Sequence, residues 1–554
     1  MRGDCSCAHL RGPSRLAGCR LERLRRTGAT SGPGWQQYRF KSRPPLVRLG
    51  CPRASSNRTV EVSPGAQNVT DLIPGKRSGR QSPMSRPVFL PLLLLICITR
   101  PADAAALDGT TLSLPWVLPF VGLLLTIAVG PQLFPTLWHA HYGKIAFLWS
   151  VLTLAPIVLL HGLVSAAEAL TQVMSEFVSF IVLLFALYTV AGGIVIAGHI
   201  RATPTTNTLV LAIGTILASV IGTTGASMIL IRPLLRANEA RPQRIHVVVF
   251  FIILVANIGG ALTPLGDPPL LVGFLHGVDF FWPIQHLWLQ TTMVAGLALL
   301  LFFAIDLLVL RREQPVPSHA EGPGSIRIRG GFNIVLLAAI IAAVLLSAIW
   351  VPGLGFSVLG THFELQNIVR DIVLLAVALL SVWASPAEHR LANGFTWEPI
   401  VEVGKLFAAI FVAIIPVIAM LKAGRNGVFA PLFDWVTGRD GLPHEAAYFW
   451  LTGSLSAFLD NAPTYLVFFE LAGGDPSVLM GPLAGTLSAI SMGAVYMGAL
   501  TYIGNAPNLM VYAIAEERGI KMPSFFAYLL YASLVLVPIF MLLTFLPIPP
   551  ILKR

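Results

Sequence analysis

The sequence predicts an all-α polytopic membrane protein, and three observations support this fold class. Of the 554 residues, 55% are apolar and only 12% are charged, whereas soluble domains carry about 25% charged residues. The mean hydropathy is +0.74. From Pro115 to the end, apolar segments of spanning length follow one another with short polar joints between them. This composition excludes a soluble enzyme, a disordered protein and a disulfide-stapled secreted domain.

The net charge of +11 originates in the N-terminal region. Residues 1–83 contain 16 Lys and Arg but only four Asp and Glu, so the rest of the chain is almost neutral. This region is rich in Arg, Gly, Pro and Ser and has no helical or strand period, which predicts disorder. Three interpretations compete: an organellar transit peptide, a basic arm for anionic lipid or nucleic acid, or sequence upstream of a true start at Met84.

The residues after Met84 favour the third interpretation, because 84–104 has the pattern of a signal peptide. Arg86 supplies a positive charge, Val88–Thr99 is an apolar run, and Ala102-Asp-Ala104 has a small-x-small cleavage pattern. The run is shorter than the roughly 20 residues of a membrane span. The alternative is a short first helix that stays attached. All five cysteines lie at or before Cys97, which excludes thiol catalysis and cysteine metal sites from the body of the chain, 105–554.

The body contains eight uninterrupted apolar runs and two broken regions. The runs lie near 115–135, 143–164, 174–197, 287–310, 332–351, 366–384, 398–421 and 524–547. The broken regions, 205–235 with 245–277 and 446–470 with 484–517, carry Gly, Pro, Asn and Thr deep inside apolar sequence. Irregular backbone at membrane depth persists only where protein or a water-filled cavity covers it. We therefore expect two re-entrant hairpins and two unwound helices, and about 10–12 membrane segments in all.

The two broken regions are related by an offset of 238 residues. Residues 260–269 and 498–507 are identical at six of ten positions, and the same offset places Thr223 opposite Asn461. We therefore predict repeat one at about 143–310 and repeat two at about 366–547. Interrupted segments in matching positions of two halves indicate the binding site of a transporter.

Loop charge predicts that the two repeats are inverted in the membrane. If the first span starts outside, the cytoplasmic joints contain 13 Lys and Arg, and the outer joints with the C-terminus contain five. Positive charge prefers the cytoplasmic side. The first hairpin then opens to the inside and the second to the outside, which is the symmetry that alternating access requires.

Asp267 and Asp460 are the predicted ion-binding carboxylates. Pro264 interrupts a helix, and Asp267 is predicted to cap a half-helix that restarts at Pro268. The alternative is a capped kink without ion contact. A carboxylate at mid-membrane is costly and is functional by default. One that binds either H⁺ or Na⁺, but not both, is the minimal device for exchange.

Asp460 is the stronger of the two candidates, because Asn461 and Thr464 add neighbouring oxygen donors of the kind that Na⁺ accepts. The Na⁺ candidates are thus Asp460, Asn461 and Asp267. Further ion- or substrate-binding candidates are Thr223, Thr224, Ser227, Asn257, Thr263, Thr464, Thr501, Asn505 and Asn508. Mid-membrane hydroxyls more often satisfy backbone carbonyls. Glu402 and Lys405 are predicted to pair on one helix face, and Asp306 is predicted to be an anchor at the end of a span.

Four segments of the chain, 222–238, 260–269, 460–464 and 498–508, resemble the ion transporter superfamily. The most similar branches are the NhaD-type sodium/proton antiporters and the related CitMHS-like citrate transporters. The resemblance covers about 115–547 and implies an inverted-repeat ion transporter fold, with a scaffold and a transport domain, an elevator movement and a homodimer. It also implies two pseudo-symmetric cation sites at the positions named above.

The hairpin tips depart from one branch of this superfamily. The organic-anion branch usually has Ser-Asn-Thr at both tips, whereas this chain has Thr223-Thr-Gly225 and Asp460-Asn-Ala462. An extra carboxylate beside an anion site would repel the substrate, so the departure disfavours a citrate or dicarboxylate substrate without excluding it.

The sequence therefore predicts a secondary active transporter, a sodium/proton antiporter of the bacterial inner membrane. The alternative is a cation-coupled transporter of citrate or another organic anion. An ion channel is disfavoured by the repeat, and a membrane-embedded enzyme or passive subunit by the lack of a catalytic motif. We expect Na⁺ and H⁺ as transported or coupling ions and no cofactor. The expected partners are membrane lipid and a second copy of the chain, with an organic anion only under the alternative and no nucleic acid.

Overall fold

The computed structural model of the chain describes residues 107–198, 201–313, 327–438 and 441–545. The predicted tail, 1–83, and the signal-peptide-like segment, 84–104, lie outside these residues. The helices of the first part are α1 Leu118–Leu133, α2 Pro135–Ala191, α3 Pro204–Ile221, α4 Thr223–Ala237, α5 Ile245–Leu254, α6 Pro268–Leu275, α7 Trp282–Arg312 and α8 Gly331–Ile349. Those of the second part are α9 Leu365–Ala384, α10 Ala387–Ala392, α11 Glu398–Ala413, α12 Ile415–Lys422, α13 Ala430–Val436, α14 Glu445–Phe458, α15 Asn461–Leu471, α16 Pro476–Met480, α17 Ala484–Met497, α18 Ala506–Glu517 and α19 Phe525–Phe545.

Four short strands form two antiparallel ribbons between the helices. β1 (Val195–Ala197) pairs with β2 (Arg327–Arg329), and β3 (Gly355–Val358) pairs with β4 (Thr361–Glu364). In the first ribbon Ile196 is opposite Ile328. These ribbons connect helix ends and contribute nothing to the candidate site described below.

Nine helices in the described part of the chain are long and apolar enough to cross a membrane. The protein is thus an all-α multi-pass membrane protein, as the composition predicts. The segment α2 has 57 residues, together about 85 Å at 1.5 Å per residue, far more than a bilayer of about 30 Å needs. It consists of two helices, because Gly162, with a φ of 87° and a ψ of 164°, leaves the helical conformation. The separate runs predicted at 143–164 and 174–197 thus correspond to two helices, of which the first begins earlier, at Pro135.

Two helix pairs contain sharp breaks where the sequence predicts irregular backbone. Pair 1 consists of α3 and α4, which meet at Gly222 with a φ of 82°. Glycine adopts this backbone conformation without steric cost. Pair 2 consists of α14 and α15, separated only by Leu459 and Asp460. Thr223 and Asn461, which follow the two breaks, are both buried.

Each pair is followed by an interrupted helix. α5 leads into unwound segment 1 (255–267) before α6 begins, and α17 leads into unwound segment 2 (498–505) before α18 begins. Both segments fold back on themselves at a glycine. A Cβ on Gly266 would collide with the carbonyl oxygen of Gly260, and a Cβ on Gly504 with that of Gly498.

The elements after the breaks recur in the same order at a constant spacing. α4 begins at Thr223 and α15 at Asn461, while Asp267 precedes α6 and Asn505 precedes α18. Both spacings are the offset of 238 found in the sequence. One side-chain bond repeats as well, because the hydroxyls of Thr263 and Thr501 donate to the carbonyls of Ser219 and Ala457. The two segments thus fold back onto the two helix pairs through equivalent contacts.

Candidate ion-binding site

The Asp267 carboxylate is the centre of a buried polar cluster. Its Oδ1 accepts hydrogen bonds from Thr223 Oγ1 at 2.9 Å and from Asn505 Nδ2 at 2.8 Å. Its Oδ2 accepts one from Asn461 Nδ2 at 2.5 Å. Asp267 is only 2% exposed and its three donors at most 1%. We call these four residues the Asp267 cluster.

The cluster is assembled from four helix N-termini. Thr223 and Asn461 are the first residues of α4 and α15, and Asp267 and Asn505 are the N-cap residues of α6 and α18. The N-terminus of a helix carries partial positive charge and stabilises a nearby anion. A buried carboxylate is tolerated only where donors or cations compensate its charge. The four N-termini and the three direct donors provide that compensation.

The predicted capping role of Asp267 is correct in position but not in its bond. The side chain of Asp267 occupies the N-cap position of α6 but makes no capping bond with that helix, because it turns instead toward the two helix pairs. Asn505 likewise makes no capping bond with α18. Its amide N–H group points into the cluster, toward Asp267.

The cluster unites the positions that the sequence repeat relates. Thr223 corresponds to Asn461 and Asp267 to Asn505, both at the offset of 238. Only one of these four residues is acidic. The fold is approximately symmetric, but the site is not, because one carboxylate faces one amide where the two related segments meet.

Asn257 and Asn508 form a second layer behind Asn505. Asn257 Oδ1 accepts from Asn505 Nδ2 at 3.3 Å, and its Nδ2 donates to Asn508 Oδ1 at 2.7 Å. Asn508 Nδ2 then donates to the carbonyls of Gly498 and Thr501, both at 2.9 Å. These amides link the two unwound segments and orient Asn505 toward the carboxylate.

The other predicted hydroxyl ligands have three different kinds of surroundings. Thr263 and Thr501 donate to backbone carbonyls of the helix pairs, and Thr464 Oγ1 donates to the carbonyl of Asp460 at 3.0 Å. These three stabilise backbone breaks. Thr224, by contrast, lines the cavity described below. Ser227 is fully buried, and its Oγ has no hydrogen-bond partner among the described residues.

Asp460 lies beside the cluster rather than at its centre. It is the N-cap of α15, and its Oδ1 accepts from the N–H of Ala462 at 3.2 Å. The sequence favoured Asp460 over Asp267, but the geometry gives the central position to Asp267. The spacing of Pro and Asn residues shows where a helix restarts, whereas it does not show toward which distant helix a carboxylate turns.

A cavity of about 80 Å³ connects the two carboxylates. On the same scale one water needs roughly 10–15 Å³, so there is room for a small ion with several waters. Its polar lining comes from Thr223, Thr224, Asp267, Asp460 and Asn505. Its apolar lining includes Leu184, Leu187, Tyr188, Pro399, Val403 and Phe407 from α2 and α11. None of the described lining residues is Lys, Arg or His, so no basic side chain among them faces the two carboxyl groups.

Asp306, predicted as an anchor at a span end, is completely buried in a second polar network. Arg241 Nη1 lies 2.6 Å from its Oδ1, and His246 Nε2 lies 2.8 Å from the same oxygen. Asn207 Nδ2 donates to its Oδ2 at 2.9 Å. No local sequence pattern indicates this network, because its members come from three distant segments of the chain.

The predicted Glu402–Lys405 pair is replaced by aromatic partners. Glu402 Oε1 accepts from Trp138 Nε1 at 3.2 Å, and the ammonium of Lys405 lies 5.1 Å from the centre of the Tyr142 ring. Both aromatic residues belong to α2. Within the described ranges, no group of three or more His, Cys, Asp and Glu residues is arranged to hold a resident metal ion.

Comparison with known proteins identifies the family of the chain. The sequence model of the CitMHS_2 family, described as "Putative citrate transport", matches residues 109–548. The chain belongs to this family. The resemblance to the ion transporter superfamily is confirmed, and the family supports a transport role rather than an enzymatic one.

Two curated relatives in mycobacteria share part of this sequence. Both are named as uncharacterized transporters, one from Mycobacterium bovis and one from Mycobacterium tuberculosis. Each is 26% identical over 274 residues, which cover 48% of this chain and 59% of the relative. The match thus spans little more than half the length of the relatives.

Proposed function

We propose that this member of the family is a sodium/proton antiporter of the bacterial inner membrane. The observation that carries the proposal is the Asp267 cluster. In an organic-anion site, the donors at the tips of both helix pairs would bind the carboxylates of the substrate. In this chain those donors are already bound to a carboxylate of the protein itself. An internal anion in that position suits a transported cation.

The charge of the cavity supports the same substrate class. Asp267 and Asp460 both line it, and its described lining residues include no basic side chain. A tricarboxylate such as citrate would have to approach two acids without a fixed cation to compensate its charge, which is unfavourable in a buried site. A Na⁺ ion or a proton instead compensates the carboxylates that are present.

We assign the two helix pairs as re-entrant hairpins. α4 has 15 residues and α15 has 11, about 22 and 16 Å long, so neither crosses a hydrocarbon core of about 30 Å. Their first residues are buried inside the protein. The distribution of Lys and Arg orients pair 1 toward the cytoplasm and pair 2 toward the outside.

We further divide the helices into two groups that move relative to each other. The site helices are α3–α7 and α14–α19. Each of these groups contains one helix pair, the interrupted helix after it and the long helix that follows. The framework helices are α2, α11 and α12, of which α2 and α11 supply the apolar side of the cavity. The cavity thus lies at the boundary between the groups. Movement of the site helices along the framework would expose Asp267 first to one side and then to the other, with H⁺ and Na⁺ binding in turn.

The name of the family supports a second candidate, a cation-coupled transporter of citrate or another organic anion. Proteoliposomes with an acidic lumen and a pH-sensitive dye distinguish the two. They receive sodium chloride, choline chloride or choline citrate. Antiport requires that the lumen becomes alkaline with sodium chloride alone. If Na⁺ alone has no effect and labelled citrate enters when Na⁺ is added, the organic-anion function replaces antiport.

A further inference from the structure

Four charged residues outside the Asp267 cluster lie where the framework helices meet the site helices. Glu176 belongs to α2 and Lys422 ends α12, while His276 follows α6 and Glu470 belongs to α15. His276 Nε2 is 3.5 Å from Glu176 Oε2, and Lys422 Nζ is 3.8 Å from Glu470 Oε1. Each pair therefore joins one framework residue to one site-helix residue. We call these four residues the His276 cluster.

The contacts of His276 indicate that its pair with Glu176 is favourable when the imidazole is protonated. Nδ1 lies 2.9 Å from the carbonyl oxygen of Val272, one turn earlier in α6. A carbonyl oxygen can only accept, so Nδ1 carries a hydrogen. Nε2 faces a carboxylate oxygen, which also only accepts when ionised. A neutral imidazole would therefore direct a lone pair at Glu176, and the contact is favourable only when a proton lies between them.

The second pair is sensitive to the charge of the first. Glu470 is 5% exposed, and its Oε2 has no hydrogen-bond partner among the described residues. When His276 is protonated, the cluster contains two carboxylates and two cations. When His276 is neutral, the cluster contains two carboxylates but only one cation, the ammonium of Lys422. Loss of the proton therefore weakens the contacts between the framework and the site helices.

The residues around the cluster do not compete for its proton. The His276 ring also packs against Phe469, with 5.9 Å between ring centres. The two nearest acids beyond the cluster along these segments are engaged with backbone, because Asp279 accepts from the N–H of Phe281 and Asp475 accepts from the N–H of Ser477. Side chains of Glu176 and His276 are 21% and 16% exposed, so water reaches the pair and can exchange its proton.

We propose that the Glu176–His276 pair is a regulatory proton-binding site that holds the site helices against the framework. Histidine changes charge between about pH 5 and 8. The pair is intact when His276 is protonated, at acidic pH, and it is lost as the pH rises. The site helices are then released at alkaline pH. The proposal rests on the division into framework and site helices, but not on which ion is transported.

Hydrogen–deuterium exchange of the purified full chain tests this without measuring transport. The peptide 268–280 is followed at about pH 6 and about pH 8.5, on either side of the range of histidine, and corrected for intrinsic exchange rates. We expect roughly tenfold faster exchange at the alkaline pH, because the ionic contact between His276 and Glu176 is lost. Equal protection at both pH values in the unmodified protein would contradict the proposal.

Three variants distinguish a proton site from a merely structural contact. Glu176→Gln keeps a donor for a neutral His276, so the peptide should stay protected at both pH values. Glu176→Ala should exchange rapidly at both. His286→Gln is the matched control, because His286 Nδ1 makes the same bond with the carbonyl of Trp282 at 3.0 Å, while its ring stacks on Trp282. It should behave as the unmodified protein. Wild-type pH dependence in Glu176→Gln would overturn the assignment.

The same experiment separates this proposal from the proposed function. Asp267→Asn should abolish cation exchange while the pH response of peptide 268–280 persists. If sodium/proton antiport is not found but the peptide responds as described, the proton site stands and only the transported ion is wrong. If antiport is found and the peptide does not respond, the proton site is wrong.

Discussion

Asp267 and Asn505, 238 residues apart in the sequence, lie face to face with 2.8 Å between Oδ1 and Nδ2. They are equivalent positions of the two related segments, and each precedes a helix that restarts after an unwound segment. An aspartate and the asparagine at the equivalent position thus meet where the two segments join. This arrangement gives the cluster a single acidic side chain, located where the two related segments meet.

The first prediction concerns the charge of Asp267. Asp267→Asn keeps the shape of the side chain but removes the charge that would bind Na⁺ or H⁺. It also leaves the donors of Thr223, Asn461 and Asn505 facing an amide. We expect Na⁺-dependent proton flux in proteoliposomes to fall to the level of protein-free vesicles, while the protein remains in the membrane.

Asp279→Asn is the matched control for this variant. Asp279 is exposed and accepts from the N–H of Phe281 near the start of α7, so it should transport like the unmodified protein. Full activity of Asp267→Asn would remove Asp267 from the mechanism. The same measurement on Asp460→Asn shows whether the second carboxylate of the cavity is also required, as the sequence predicts.

The second prediction uses the approximate symmetry of the site. Asn505→Asp alone places a second carboxylate beside Asp267, and two carboxylates about 3 Å apart cannot both ionise. We expect exchange to be strongly impaired. Combining it with Asp267→Asn restores a single carboxylate in the equivalent position. The double variant should regain roughly a tenth of wild-type flux, since contacting residues couple. A double variant as inactive as Asp267→Asn would show that the two positions are not interchangeable.

The third prediction concerns Asn461, which donates to Asp267 from the tip of pair 2. Asn461→Ala removes the 2.5 Å bond to Oδ2 and leaves the carboxylate less well oriented. Loss of such an outer partner costs about 10–100-fold in ion affinity. We expect the Na⁺ concentration for half-maximal flux to rise by that factor, with a smaller effect on the maximal rate. Thr464→Val is the control in the same helix, because its hydroxyl donates to a backbone carbonyl rather than to the cluster.

Residues near Asp267 show which parts of the site the sequence could reveal. The breaks at Gly222 and Pro264, and the identities between 260–269 and 498–507, are local signals, because backbone conformation depends mainly on nearby residues. They located four of the residues that converge in the cluster. The offset of 238 also relates Thr223 to Asn461 and Asp267 to Asn505, which occupy equivalent positions in the structure.

Local sequence patterns do not reveal which distant residues a side chain contacts. The sequence predicted that Asp267 caps α6, that Glu402 pairs with Lys405 and that Asp306 is only an anchor. In the structure these three acids bind groups from distant segments, such as Asn461, Trp138 and Arg241. Which distant helix lies beside a residue is decided by tertiary packing, and neither helical period nor capping preference contains that information.

The fourth prediction concerns the buried network around Asp306. Removing one partner of a buried ion pair leaves an uncompensated charge and costs about 3–5 kcal/mol. For Asp306→Asn we expect the free energy of unfolding to fall by about 3 kcal/mol, the lower end of this range. The loss is at the lower end because Glu313 still pairs with Arg241 at 3.0 Å. Thermal unfolding in detergent should show a clearly lowered midpoint. Asp434→Asn breaks an exposed pair with Arg425 and should change stability by less than about 1 kcal/mol. Equal midpoints for the two variants would contradict the role of the network.

The last prediction concerns the close approach of unwound segment 1 to the cluster. A Cβ on Gly260 would lie 2.8 Å from both Asp267 Cβ and Thr223 Cγ2, and 3.0 Å from the carbonyl oxygen of Gly266. Gly260→Ala must therefore displace the carboxylate, and overpacking of this kind costs about 1–3 kcal/mol. We expect a lower unfolding midpoint and weakened Na⁺ dependence. Gly296→Ala is the matched control, since a Cβ there meets nothing within 4 Å in helix α7. It should be neutral or stabilise by about 0.5–1 kcal/mol. A Gly260→Ala protein that unfolds and transports like Gly296→Ala would show that the cluster does not depend on this approach.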